Sequence, residues 1–388
     1  IFFLIFFFHI YIEKIMAVKN YSKKGEKIMT KKEALELKKR FTKDNASFDR
    51  ICGCYVDADK NQVYKFNQKF LTMPEEDMFK YLDIAKKALS GKLENNLLEL
   101  QFPSEEEAVG GRQQALTAIL NSEMKSDDIL DAFYPHVIDN YNTVDNYLIL
   151  LFHDYYDVIS RASDGSDGDS EDVYHYMIGA ICPVNLSKAA LGYNDNKIEA
   201  VKRNWIVGLP ESAFLFPAFS DRSADIHSAL FYTKNVKKPH TEFMTEILGC
   251  PEVSTAALKQ EMLHDVVESC VDSENESDPE DAVLAYNQEL SDMLEEHVVE
   301  GYQEDTLKMD KKTVWQAIEN IGVKEEEAEA IADGIVEMFG DDIPSVSSMI
   351  DQKLIKKNES RMQLLAMQEQ IKDLMDENAK LKKMLEEK

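Results

Sequence analysis

Two runs in the middle of the chain, NYLILLFHDYYDVI at 146–159 and VYHYMIGAICPV at 173–184, are too aromatic and β-branched to be helices. Between them lies SRASDGSDGDSED, an acidic stretch rich in Gly and Ser. The pattern predicts two long antiparallel strands joined by a mobile loop, and so a sheet around which the rest must be built. FDRICGCYVD at 48–57 and VYKFNQKF at 63–70, split by the polar turn ADKNQ, add a hairpin. WIVGLP, AFLFPAF and DIHSALFYT between 205 and 233 supply further strands. Pro210 and Pro217 fall at edges or breaks, because proline donates nothing to a ladder.

Helices flank this sheet. Thr30 and Glu33 form a capping-box pattern opening a helix to about Phe41. Pro74 and Gly91 bracket an amphipathic run over 74–89, Ser104 with Glu107 caps another, and Ser126 starts a third. From about Pro239 the pattern is helical. An acidic break, DSENESDPED at 272–281, reads as a linker, and Gly322 and Gly340 close the helices of a small module.

The sharpest periodicity lies at the C-terminus. Leu364, Met367, Ile371, Leu374, Asn378, Leu381 and Leu385 alternate at spacings of three and four, the seam of a left-handed coiled coil. Asn378 takes an a position, where a buried amide favours a parallel, in-register dimer. In that register Glu377 at g meets Lys382 at e of the second copy, while Gln370 and Met375 are neutral.

Residues 1–12, IFFLIFFFHIYI, are too short for a membrane span, which needs roughly 20 apolar residues, and lack the flanks of a secretory signal. Nearly all of these residues can be written with A and T codons. A purine-rich back-translation of KKGEKI precedes Met29, so 1–28 is expected to be a mis-annotated upstream extension, with translation starting at Met29. The whole chain carries a net charge of −28, and this segment, with five lysines and two glutamates, makes the remainder more negative still. Such a charge repels phosphate backbones and disfavours general nucleic-acid binding. The five cysteines, at 52, 54, 182, 250 and 270, are odd in number and scattered. They suit a reducing cytoplasm, and no apolar run after Met29 is long enough to cross a bilayer.

No phosphate loop, dinucleotide fingerprint, HExxH or GxSxG is present. CGCY at 52–55 has no second cysteine pair to complete a zinc site, and on a strand the two cysteines sit about 7 Å apart, at the limit for a disulfide. They read as small buried hydrophobes. DADKNQ at 57–62 lacks the glycine and the twelfth-position acid of a calcium loop and reads as a turn. The acidic loop has no recognised ligand spacing. No metal site or cofactor is therefore designated.

Alternation places His153, Tyr155 and Asp157 on one face and Leu148, Leu150 and Phe152 on the other. A hairpin closing at Ile159 and Val173 would set Asp157 opposite His175, with His153 two pairs away. Asp221, Arg222, Asp225 and His227 gather near a later strand start. Together these seven residues form a candidate acid/base or metal-dependent hydrolase cluster, set against a plain reading of a polar hairpin end and a salt-bridged turn.

TKKEALELKKRF, RICGCYVDADKN, LSGKLENNLLELQFP, YLILLFHDYYDVISRASDG, ICPVNLSKAALGYN and FLFPAFSDRSADIHSALFYTKN resemble, in order, the bacterial domain-of-unknown-function 4317 family. The resemblance runs from Thr30 to roughly residue 250 and matches the C-terminal third less clearly. It implies a shared fold and a cytosolic bacterial setting, with no mechanism attached.

The expectation is an α+β protein. An antiparallel sheet with packed helices spans 30–250, a helical region 251–345, and a helix 346–388 carries the coiled coil at 361–388. The expected function is a cytoplasmic, non-enzymatic, homodimeric interaction module meeting an unidentified protein. Neither a membrane nor general nucleic acid is expected as partner. The alternative is an enzyme built on the His/Asp/Arg cluster.

Overall fold

A computed structural model describes residues 29–45, 48–161, 167–194, 196–271, 278–304, 306–340 and 343–386, and their side chains except at 159–172, 194, 381 and 383–386. The expected upstream extension, 1–28, lies outside the described residues, as do 272–277 of the acidic linker. The chain divides into two units with the boundary between Thr255 and Ala256.

The first unit is built on an antiparallel sheet. Its path runs β2 (Gln62–Lys69), β1 (Arg50–Val56), β4 (Asn146–Arg161), β5 (Asp167–Leu186), β9 (Ser212–Phe216), β12 (Ser228–Thr233) and β3 (Leu97–Gln101). The short β8 (Trp205–Val207) pairs with the far end of β5. Two small ribbons lie apart: β6 (Leu191–Asn194) with β7 (Lys197–Ala200), and β10 (Ala218–Ser220) with β11 (Ser223–Asp225). β4 and β5 reach well into the stretch expected to be loop, leaving 162–166 between them outside the described residues.

Period-2 alternation sends the side chains of each central strand into two separate cores. Cys52, Cys54, Ile149 and Leu151 face helices α3 (Arg112–Asn121) and α4 (Asp127–Asn140) and a π-helical turn, Phe243–Ile247. Ile51, Leu150, Phe152 and Ile178 face α1 (Lys31–Lys38) and α2 (Glu75–Ala88). A side chain such as Leu150, fully buried, contributes about 2 kcal/mol on this ground alone. Gly179 makes the tight packing possible, since an added Cβ would lie 2.1 Å from the Phe214 ring. The capping box of Thr30 and Glu33 is formed. The helix expected to start near Ser104 instead begins at Arg112, because the Gly110–Gly111 pair interrupts the chain and Gly111 takes the cap position.

The second unit is all helical: α5 (Ala256–Cys270), α6 (Pro279–Val299), α7 (Lys311–Glu319), α8 (Glu325–Phe339), α9 (Val346–Met349) and α10 (Gln352–Glu386). Leu263, Tyr286, Leu290, Val314 and Ile331 fill its core. Asp278 caps α6 ahead of Pro279, and Asp310 caps α7. The first turns of α10 rest on this core through Leu354 and Ile355, and Lys357 and Arg361 pair with Glu280 and Asp281 of α6. Beyond Arg361 every described side chain of α10 is exposed. Among the described residues no helix is long and apolar enough to cross a membrane.

Candidate functional site

His153 is fully buried although its neighbours on β4 include Asp154 and Tyr155. It projects from the face that carries Ile149 and Leu151. β4 and β5 pair in a register that sets Tyr155 opposite His175 and Asp157 opposite Val173. The expected register is therefore off by two residues. A shift of two preserves the face, so His153 and His175 still meet, now as diagonal neighbours. Their Nε2 atoms lie 2.5 Å apart. Asp157 is exposed, one pair further along the strand than expected.

The surroundings of the pair come from three other segments. Asp49, just before β1, brings Oδ2 to 3.4 Å from His153 Nδ1. The Tyr155 ring stacks on His175 with centroids 4.5 Å apart, and His153 stands edge-on to both rings. Glu123 follows α3 and reaches the Tyr155 hydroxyl, and Lys125 pairs with it. Glu123 and Met124 both have positive φ, of 51° and 54°. Consecutive left-handed residues other than glycine are costly, and here the turn is held by Asn67, whose Nδ2 donates to Met124 O at 3.0 Å.

Burial, and then the neighbouring His175, push the His153 imidazole down to about 4, and Asp49 opposes this only in part. Burial also lowers His175, against the pull of Glu123. Both rings are thus neutral at neutral pH. One Nε2 carries hydrogen and the other accepts, and Asp49 favours the proton of His153 on Nδ1. A neutral, carboxylate-flanked imidazole pair can pass a proton between its rings. Among the described residues no group of three or more His, Cys, Asp and Glu is arranged to hold a metal ion. Neither of two surface concavities, one lined by Phe41, Lys43 and Phe79 and the other by Lys60, Tyr141 and Thr143, includes either histidine.

The remaining members of the expected cluster are elsewhere. Asp221 and Arg222 occupy the two-residue turn between β10 and β11, both with positive φ, as a type I′ hairpin turn requires. Arg222 is tied to α1: its N–H donates to Glu33 Oε1 at 2.9 Å and its Nη2 to Glu36 Oε1 at 3.0 Å. Tyr156 donates to the same Glu36 oxygen at 2.6 Å. Because Tyr156 points to the opposite face from His153, the sheet stands between Arg222 and the histidine pair. Asp225 accepts from the His227 backbone N–H and from Ser228 Oγ, and His227 pairs with Glu107 at 2.7 Å. The Asp225 contacts are local to the turn, and the His227–Glu107 contact joins that turn to the segment before α3.

A second polar group, absent from the sequence reading, lies beneath Tyr156. Asp154 is buried and accepts from Arg40 Nη2 at 3.0 Å and from the Tyr176 hydroxyl at 2.8 Å, with the Arg40 guanidinium over the Tyr156 ring. No periodic signal marks Arg40, which is separated from Asp154 by more than a hundred residues.

A model of a domain of unknown function, DUF4317, matches residues 29–385. The chain belongs to the DUF4317 family. The match includes the second unit and the long C-terminal helix, well beyond the residues up to about 250 that carry the resemblance. No curated protein matches the chain.

The histidine pair makes a pH prediction. A depressed folded-state pKa means that the unfolded chain binds the extra proton first, so stability present above the ordinary imidazole pKa of about 6.5 is lost as pH falls towards 4. The loss belongs to the pair, since burial lowers both rings. Glu99 works against it. Burial raises its carboxyl to about 7, so its contribution is present below the ordinary range and is lost as pH rises through 7. The parent chain therefore carries two opposed slopes between pH 4.5 and 6.5. Denaturant titrations across this range are expected to separate them. Glu99→Gln should gain about 2 kcal/mol over the parent at pH 8, and His153→Gln should lose the acid-side slope. A His153→Gln variant with the parent's pH profile would show that the buried ring does not titrate.

Proposed function

We propose that this DUF4317 member is a homodimeric protein-interaction module, joined through a parallel coiled coil of residues 361–388. The observation that carries the reading is the change in character along α10. Its first turns are packed and ion-paired onto α6, and the following turns present Leu364, Met367, Ile371 and Leu374 along one stripe, each more than half exposed. Side chains of this size, repeated at heptad spacing over several turns, lose free energy in water and regain it against an equivalent stripe.

Charge complementarity supports a second copy as the occupant. In a parallel register Glu377 faces Lys382 of the other helix, and the exposed Asn378 meets its own counterpart. Leu381 and Leu385, which complete the seam, lie outside the residues whose side chains are described. The acidic α/β unit would be the part that meets a protein partner in the cytoplasm. Against an enzymatic reading stands the distribution of the seven candidate residues: His153 and His175 meet on one face of the sheet, Arg222 is tied to α1 on the other, and Asp225 and His227 belong to a turn.

Removing residues 361–388 tests the proposal, because the deletion leaves the packed turns before Arg361 in place. Sedimentation equilibrium is expected to give a dimer for the intact chain and a folded monomer for the truncated one. A truncated chain of unchanged oligomeric mass would refute the coiled coil as the dimer contact.

A further inference from the structure

Between β5 and β9 the chain makes an excursion that the sheet does not need. Leu186 pairs with Trp205, Ser187 N donates to Asn204 O at 2.8 Å, and Val201 N donates to Ala190 O at 2.9 Å. Leu191 pairs with Ala200 and Tyr193 with Ile198. These contacts describe one continuous two-stranded arm, from Val184 and Val207 at its base to Asn194 and Lys197 at its tip. Every described residue from 188 to 207 except Gly192 is exposed, so neither face of the ribbon is covered by protein.

Cross-strand partners share a face, so Leu191, Tyr193, Ile198 and Ala200 form an uncovered apolar surface at the tip, with Trp205 and Ile206 exposed nearer the base. A lone two-stranded ribbon is marginal in water, and one with its apolar face bare gains by covering it. The arm also reverses the sign of the protein. Lys188, Lys197, Lys202 and Arg203 stand against Asp195 and Glu199 in a chain whose net charge is −28. Arg203 is fixed beside the ribbon by its Nε–H, which donates to Ser187 O at 2.7 Å.

We propose that this arm binds the surface of an anionic lipid bilayer, seating its apolar face among the headgroups and its lysines and arginine on their phosphates. Three features select this occupant. Trp and Tyr beside Lys and Arg are the residues that settle at the membrane–water interface. Most of the exposed apolar side chains of the arm, Leu191, Ile198, Val201 and Ile206, are aliphatic and give bases nothing to stack on, so a single strand would use only Tyr193 and Trp205 whereas a bilayer surface uses all six. The same four cations oppose pairing of one arm with another.

The acidic body does not forbid the contact. Roughly eight residues of extended ribbon reach about 25 Å, beyond a Debye length of about 8 Å at physiological salt. The contact is peripheral and needs no bilayer-crossing run, the lack of which is the ground on which the sequence predicts no membrane partner.

The test is flotation of the full chain with large unilamellar vesicles of phosphatidylcholine containing one quarter phosphatidylglycerol, against pure phosphatidylcholine. The expected result is binding to the anionic vesicles only. In a Trp315→Phe background, which leaves Trp205 as the sole tryptophan, emission should shift to the blue on binding. The triple variant Lys188→Gln, Lys197→Gln, Lys202→Gln should lose about 100-fold in partitioning, at roughly fivefold per charge.

Tyr193→Ser with Ile198→Ser should lose the blue shift. The substituted positions of the arm are all exposed, so their replacement leaves the sheet intact. Equal binding to neutral vesicles, binding untouched by the arm variants, or no vesicle binding would overturn the proposal. So would arm-dependent capture of an oligothymidylate in place of vesicles, or an arm-dependent change of oligomeric mass. The coiled-coil reading is scored separately, by the mass of the chain without residues 361–388.

Discussion

Changing Ile371 and Leu374 together to glutamate is expected to turn the proposed dimer into a monomer. A two-fold seam contains each position twice, so the double variant removes four apolar side chains from the interface and places four carboxylates there. At about 1.5–3 kcal/mol for each buried aliphatic side chain, the lost burial alone is about 6–12 kcal/mol. That corresponds to a weakening of four orders of magnitude or more, before repulsion among the new charges is counted. Both side chains are already more than half exposed in the single chain, so neither unit should lose stability. Unchanged helicity with a halved mass is the expected pair of readings. A dimer that survives the change would place the self-contact elsewhere.

Asp154→Ala is expected to be the most damaging single substitution in the α/β unit. Asp154 is buried and holds both the Arg40 guanidinium and the Tyr176 hydroxyl. Removing it leaves a largely buried cation and a fully buried hydroxyl without their carboxylate, a loss of about 3–5 kcal/mol for a group of this kind. Set against a typical domain stability of about 5–15 kcal/mol, that is a large fraction. Asp154→Asn keeps an acceptor for Tyr176 and should lose less. The check is a denaturant titration at pH 7, with the midpoint moving and the slope unchanged. A shift in the Asp154→Ala titration equivalent to less than about 1 kcal/mol would mean that water replaces the carboxylate at Arg40.

The long strands, their faces and the helix starts at Thr30, Pro74 and Ser126 were legible in the sequence because each rests on local rules: alternation, capping residues and breakers. Thr30 with Glu33 and the CGCY strand show this well, since the capping box forms and both cysteines are buried in one core. The register of β4 with β5 was not legible, because turn length sets it and the acidic connection carries no turn signature. Only the even size of the error kept His153 beside His175.

The arm was missed for a related reason. LGYN and KIEA are short and interrupted by Gly, Asn and Lys, and the four cations come from both strands, so no basic run marks it. Asp49, Glu123 and Arg40 were missed because contacts between segments far apart in the chain leave no pattern in either segment. The expected convergence of Arg222 on the histidines failed for a topological reason, since β10 and β11 hand that turn to α1 on the other face.

Self-association through α10 is the claim on which the functional reading rests. Its most direct test is the native mass of the intact chain at micromolar concentration, with no metal or lipid added. Twice the chain mass, falling to the single mass when residues 361–388 are removed, is the expected result. A single mass for the intact chain at every accessible concentration would contradict it.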